Sequence, residues 1–346
     1  MVAPLISSGG GEPPLSRDGL SAQSGLRLLI SGGAGFIGSH LCDLLVRCGH
    51  RVLAVDNLFS SSARSVEHLL QCQRFQLLDH DVSKPLDVAQ PLDGVLHLAT
   101  SADPKLFRTH PVEIARAAAL GTAAMLDVAR EHGCRFLLAS SDAVYGDSSD
   151  CPQTEASLGA LDPVGPRSAY DEGKRFAESL TMAYHVQWGV DTVIARIFHS
   201  YGEGMPWDGR LIPTYIANAR RGAPLHVLGS GEQTRAYCYI SDLVEGILAL
   251  FHSAHHDPVN LGNSGEISVL SLARLIIDLA GSTSPIRFGP PLEGDRRSRC
   301  PDISLATRLL GWRPRVSLEE GLRRTIASMS AAACARDGIS AEDQPT

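Results

Sequence analysis

The sequence has no long apolar run, no excess of positive charge and no paired cysteine motif. Nothing in it reaches the roughly 18 consecutive apolar residues of a membrane-spanning helix, and its opening residues lack the apolar centre of a signal peptide. Lys and Arg number 31 against 38 Asp and Glu, a formal net charge of -7, so no basic field attracts nucleic acid or an anionic membrane surface. Any anionic ligand must be held by local arginines. The eight cysteines are scattered without a C-x-x-C pair, which excludes a disulfide framework and reads as the reduced thiols of a cytoplasmic protein. No Cys or His cluster has zinc spacing, so no metal is expected, and His80, His97, His252, His255 and His256 read as surface or packing residues. There is no internal repeat.

What is present is a chain of 346 residues, 44% hydrophobic, with aliphatic runs throughout. That is enough to bury a large core in one big domain or two coupled lobes. Residues 1–25 read as a disordered leader and 331–346 as a flexible tail. The first ordered stretch is "LRLLISGGAGFIGSHLCDLLVRCGHRVLAVDN". An aliphatic run ends in a glycine turn, apolar residues then recur at helical spacing, Gly49 stops the helix, and "RVLAVD" is a second buried strand. "FQLLDHDV", "GVLHLAT", "RFLLASSDAVYG" and "DTVIARIFHSYG" continue the strand pattern between long helical segments. This alternation predicts an α/β fold of Rossmann type, a doubly wound parallel sheet over residues 26–200. From 201 to 330 the pattern breaks into Pro- and Gly-punctuated pieces, expected to form a smaller C-terminal substrate-binding lobe with one helix returning to the main core.

Gly32, Gly35 and Gly38 form G-x-x-G-x-x-G between strand and helix, with Phe36 and Ile37 opening the helix. Missing side chains let a pyrophosphate approach the backbone, and a helix N-terminus offers N–H donors and positive potential. Asp56, followed by Asn57, ends the next strand where an acid accepts hydrogen bonds from a ribose diol. An acid there disfavours a 2'-phosphate, which makes the expected cofactor NAD. Asp81 and Val82 flank the adenine on this reading, or serve as a turn acid and its neighbour. Leu98 and Ala99, at the end of "GVLHLA", are further candidates for cofactor contact.

"YDEGK" puts Tyr170 and Lys174 four apart on one helix face. A free tyrosine has a pKa of about 10 and needs a nearby cation to act as a base. Lys174 can favour the phenolate while binding the nicotinamide ribose, and Ser141, ending a neighbouring strand, can hydrogen-bond the same substrate oxygen. The set is a proton-transfer device for oxidising an alcohol. In isolation it would read as an exposed Tyr and Lys on an amphipathic helix.

With these residues in place the chain resembles the extended short-chain dehydrogenase/reductases, and among them the UDP-glucuronate decarboxylases. The resemblance rests on "GGAGFIGSHLCDLL", "GPRSAYDEGKR", "GVDTVIARIFHSYG", "DGRLIP", "GSGEQTRAYCYISDLVEG", "PVNLGNSGEISVLSLA" and "CPDISLATRLLGWRP", roughly Leu26 to Ser328. It implies that Tyr170 takes the O4 proton of UDP-glucuronate while NAD oxidises C4, and that the 4-ketone then sheds carbon dioxide. It implies that Arg235 lies near the substrate carboxylate or diphosphate, that Arg299 binds the diphosphate, that Arg210 and His199 contact substrate, and that the protein is a homodimer. The chain departs from the family pattern at Ala143, where a glutamate is usual, at Ala118 and His199, where asparagines are usual, and at Phe107, where a tyrosine is common. These changes are expected to weaken the later steps, C5 protonation and C4 re-reduction, with Asp142 as a substitute acid and a 4-keto pentose released beside or instead of UDP-xylose. A UDP-sugar 4-epimerase and a catalytically silent NAD-binding scaffold are the competing readings.

Overall fold

The structure, a computed structural model, describes residues 25–148, 150–291 and 299–334. Its strands are β1 (Arg27–Ser31), β2 (Arg51–Asp56), β3 (Phe75–Asp79), β4 (Gly94–His97), β5 (Arg135–Ser141), β6 (Thr192–Ile197), β7 (Ser200–Tyr201), β8 (Leu225–Leu228), β9 (Thr234–Ala236), β10 (Cys238–Tyr239), β11 (Pro258–Leu261), β12 (Glu266–Ser268) and β13 (Ile286–Gly289). The aliphatic runs behave as buried parallel strands do. Leu28, Leu29 and Ile30 of β1, and Phe136, Leu137 and Leu138 of β5, are fully shielded from solvent. They belong to a seven-stranded sheet, order β11-β6-β5-β4-β1-β2-β3, in which all neighbours are parallel. Alternate side chains feed two apolar layers, one on each face.

Helices cover both faces: α1 (Phe36–Arg47), α2 (Pro104–Thr109), α3 (Pro111–Arg116), α4 (Thr122–His132), α5 (Ser168–Trp188), α6 (Leu211–Arg220), α7 (Ile240–Phe251), α8 (Val269–Leu279), α9 (Ser304–Leu310) and α10 (Leu318–Cys334). One wide π turn, Ala117–Gly121, joins α3 to α4. Parallel strands all end on the same side, so the loops after β1, β2, β4, β5 and β6 collect at one sheet edge, where ligands bind in such folds.

The stretch after Tyr201 divides its loyalties. The pairs β8–β13 and β9–β12, with α6 and α8, lie outside the main sheet. The helix expected to return is α7, which packs on α1, and β11 returns with it as the seventh strand of the sheet. Four residues, Pro258–Leu261, are too short a run for periodicity to assign. Of the tail expected over 331–346, the residues to Cys334 are helical, because α10 continues through the alanine-rich "AAAC"; the rest of it, and residues 1–24 of the leader expected over 1–25, lie outside the described residues. Behind the ends of β5 and β6 a buried network locks the sheet to α5. Arg196 pairs with Glu178 at 2.8 Å and donates to the Tyr145 hydroxyl at 3.0 Å, and Ser140 donates to Glu178 at 2.5 Å.

Candidate active site

The loops at the sheet edge and the smaller lobe enclose a cavity of about 1030 Å³. Its floor is the glycine turn. Gly32 has φ +74, and a Cβ there would come within 2.9 Å of the Ala99 backbone nitrogen; a Cβ at Gly38 would overlap the Gly32 carbonyl. Only glycine permits this packing of turn, helix and neighbouring strand. Helix α1 begins at Gly35 with no side-chain cap, so its first N–H groups are left for a ligand in the cavity that Phe36, Ile37 and Gly38 line.

Asp56 knits the turn together, accepting the Ala34 N–H at 3.0 Å, the Leu58 N–H at 2.9 Å and the Ser61 hydroxyl at 2.7 Å, and it too borders the cavity. Asn57, which accepts the Phe59 N–H at 3.1 Å, borders it as well, as do Leu98 and Ala99. Asp81 lines the cavity and accepts the Ser83 N–H at 2.9 Å, as a turn acid does. Burial works against its charge, but the Ser83 N–H and hydroxyl, with Lys84 and Arg116, outweigh it and hold the carboxyl below its usual value. Val82 is buried against Gly121. These features suit a dinucleotide: backbone donors for phosphates, a carboxylate for a ribose diol, apolar flanks for a ring.

At the far end Tyr170 and Lys174 project from the first turns of α5, both almost fully buried. Lys174 Nζ donates to the Ala139 carbonyl at 2.7 Å and stands 5.9 Å from the Tyr170 ring centroid. Burial brings its pKa down to about 8, against the upward pull of Glu178 one turn on. The Tyr170 phenol is pushed up to about 12, chiefly by burial; a hydrogen bond with Ser141 and the Arg167 guanidinium act the other way, and Asp142 and Asp171 add to the rise. Among the cations the Arg167 guanidinium eases ionisation of the phenol, while the Lys174 ammonium donates to β5.

Arg167 went unnoticed as a site residue in the sequence. It precedes α5, lines the cavity, contacts Asp171 at 3.2 Å and lies 5.1 Å over the Phe107 ring, which stacks on Tyr170 at 4.8 Å. A signal was there to read: an arginine at a helix N-terminus opposes the helix dipole and so needs another reason for its place.

The four departures separate. Phe107 and His199 line the cavity, whereas Ala143 and Ala118 are buried behind its wall. Ala143 packs with Phe107, Ile114 and Tyr170 in one small apolar cluster. Ala118 faces Gly173 of α5, and its carbonyl accepts the Thr122 hydroxyl at 2.6 Å. The wall behind Tyr170 is therefore apolar at both places, 107 and 143, where the family pattern carries polar groups.

Asp142 is the hub of the remaining groups. It accepts the Ser141 hydroxyl at 3.0 Å, pairs with Arg299 at 3.1 Å and faces His199 Nδ1 at 4.0 Å. His199 is pushed down to about 4, first by burial and then by Arg299, Arg235 and Arg167, against the pull of Asp142. Arg235, on β9, is buried and donates to the Thr234 carbonyl at 2.7 Å. Arg210 lines the cavity further out, paired with Asp208 at 2.5 Å. Arg167, Arg235 and Arg299 gather near Asp142 and Asp171 beside Tyr170, and their planar guanidinium groups suit an anionic substrate group. Among the described residues no group of His, Cys, Asp and Glu is arranged to hold a metal ion.

A family model described as the NAD dependent epimerase/dehydratase family matches residues 28–262. UDP-glucuronic acid decarboxylase 1 of Xenopus tropicalis is 47% identical over 308 residues, 89% of this chain and 73% of that protein. The protein of the same name from Danio rerio is 46% identical over 312 residues, 90% of this chain and 74% of the other. Among solved structures, UDP-glucuronic acid 4-epimerase from Bacillus cereus, in complex with UDP-glucuronic acid and NAD, superposes with a TM-score of 0.79 at 25% identity, covering 89% of this chain and 100% of that one.

Proposed function

The chain belongs to the NAD dependent epimerase/dehydratase family, and from that premise we propose that it decarboxylates UDP-glucuronate through a 4-keto intermediate. The cofactor is NAD, which when bound supplies the acceptor for the C4 hydrogen and the source of its return. Gly32, Gly35 and Gly38 with the start of α1 would hold its pyrophosphate, and Asp56 and Asn57 the adenosine ribose. Asp81, Val82, Leu98 and Ala99 would flank its rings, and Lys174 would hold the nicotinamide ribose.

Within this frame the chain's own groups have distinct tasks. Tyr170 takes the proton from O4, with Ser141 hydrogen-bonded to the same oxygen. The resulting ketone is beta to the carboxylate, so carbon dioxide leaves and the electron pair of the broken bond is held as an enolate. Tyr170 and Ser141 stabilise that developing oxyanion as hydrogen-bond donors. Arg235 and Arg299 hold the anionic groups of the substrate, and Arg210 the nucleotide end. Protonation at C5 then yields UDP-4-keto-pentose, which leaves as such or is reduced to UDP-xylose.

The observation that carries this reading is the convergence of Ser141, Tyr170 and Lys174 with Arg167, Arg235 and Arg299 in one cavity. Purified protein given UDP-glucuronate and NAD is expected to release carbon dioxide and to yield a pentose nucleotide by mass spectrometry, and Tyr170→Phe to abolish both. Conversion to a hexuronate epimer with no gas released would reassign it as a 4-epimerase, the activity named for the Bacillus cereus neighbour; intact substrate would leave an NAD-binding scaffold.

Two coarser matters complete the reading. Exposed Leu120 and Phe176, on the π turn and α5, supply an apolar face for a homodimer. No helix among the described residues is long and apolar enough to cross a membrane, and the buried free thiols of Cys42, Cys134, Cys238 and Cys300 suit the reducing cytoplasm.

A further inference from the structure

His199 stands two residues past the end of β6 and lines the cavity beside Asp142 and Arg299. Its Nδ1 is shielded from solvent and has no hydrogen-bond partner among the described residues; the nearest carboxylate oxygen, on Asp142, is 4.0 Å away, beyond hydrogen-bond reach. Decarboxylation creates a demand that the groups assigned above do not meet. When carbon dioxide departs, the electron pair of the C5–C6 bond stays on the sugar, and C5 must take up one proton. Tyr170 and Ser141 are engaged at O4. Lys174 donates to the Ala139 carbonyl. Asp142, the acid suggested by the sequence, is tied to Arg299 and to the Ser141 hydroxyl, and position 143 is an alanine behind the wall.

Resting on the decarboxylase reading, we propose that His199 is the acid that protonates C5 of the decarboxylated sugar. The charges around it explain how a histidine so placed can carry the proton. Asp142 favours the imidazolium; burial together with Arg299, Arg235 and Arg167 disfavours it, and Tyr237 packs edge-on against the ring at 5.8 Å. A bound uronate brings a carboxylate among those arginines and offsets them, so the imidazole takes a proton as substrate binds. Loss of carbon dioxide carries no charge away: the negative charge passes from the carboxylate to the enolate, and proton transfer from the imidazolium to C5 neutralises it. The proton passes from nitrogen to carbon, the enolate pair becomes the C5–H bond, and the imidazole is left neutral, so the step balances without a co-reactant.

Single-turnover reactions in D2O, with UDP-glucuronate and NAD, test this by following carbon dioxide release and the deuterium at C5 of the product by NMR. Wild-type protein is expected to place one deuterium on one face of C5. In His199→Asn and His199→Gln, deuteration at C5 should slow about 100-fold or more relative to carbon dioxide release in the same variant, and should reach both faces. Wild-type rate and single-face labelling in the variants would overturn the proposal. A second measurement needs no variant to fold: without NAD, UDP-glucuronate should raise the His199 pKa in the wild-type protein from about 4 to about 7 or above, and UDP-xylose should not. An unmoved pKa would also overturn it. If wild-type protein releases no carbon dioxide, the decarboxylase reading fails and takes this one with it; normal release with unaffected variants defeats only the role of His199.

Discussion

The two ends of the cavity are built on different principles. The cofactor end is mostly backbone. Its main parts come from a single stretch, Gly32 to Asn57, in which glycines bring the chain close and leave a helix start and one carboxylate at the cavity. The sugar end is all side chain. Phe107, Asp142, Arg167, His199, Arg235 and Arg299 arrive from six separate places in the chain and hold one another by stacking and ion pairs. Backbone sites tolerate little variation because no rotamer can relieve a clash. Side-chain sites can be retuned one residue at a time, and here every departure from the family pattern falls at or behind the sugar end.

Substitutions can test that contrast. The largest effect should come from Gly38→Val, whose side chain would overlap the Gly32 carbonyl. NAD affinity should fall by about 100-fold or more, by the loss of close backbone approach, as measured by fluorescence or calorimetric titration. If NAD binds this variant normally, the cofactor end is not backbone-specified. Arg299→Met should act only at the other end, lowering kcat/KM for UDP-glucuronate by about 10- to 100-fold while leaving NAD affinity unchanged; an equal loss of both would show that the two ends are not independent.

The smallest effect concerns Lys174, which belongs to both ends, and it reverses sign between activity and stability. Its folded pKa lies near 8, below the ordinary 10.5, because burial penalises the charged form. Below about pH 8 the folded protein carries that cost in full; as pH rises from 8 towards 10.5 the folded lysine loses its proton before the unfolded one does, and the cost fades. Lys174→Met should therefore be inactive yet about 1–3 kcal/mol more stable at pH 7, net of the lost hydrogen bond to Ala139. The advantage should shrink above pH 8, as read by chemical denaturation across the pH range. A variant less stable than wild type at pH 7 would show that the Ala139 hydrogen bond outweighs the burial cost.

The legibility of the two ends follows the same line. The glycine spacing, the strand-helix-strand order and Asp56 could be read directly, because local geometry at that end is set by residues close in sequence. Tyr170 and Lys174 could be paired from their helical spacing. Their surroundings could not be read: that Arg167 also acts on the phenol, across the Phe107 ring, depends on how α2 meets α5. Ala118 and Ala143, departures from the family pattern, lie behind the wall, which the sequence did not show. Strand β11 was too short for periodicity to place, and joined the sheet only because α7 carries the chain back to β6.

By itself the amino-acid order determined the parallel sheet, the glycine turn and the pairing of Tyr170 with Lys174 on one helix face, since hydrophobic period, glycine spacing and helical offset act over a few residues. Only the tertiary structure decided which charges surround that tyrosine, which substitutions reach the cavity and that His199 has a nitrogen to spare. Electrostatic and packing partners are chosen by distance in space, and the groups concerned are separated by up to 157 positions along the chain.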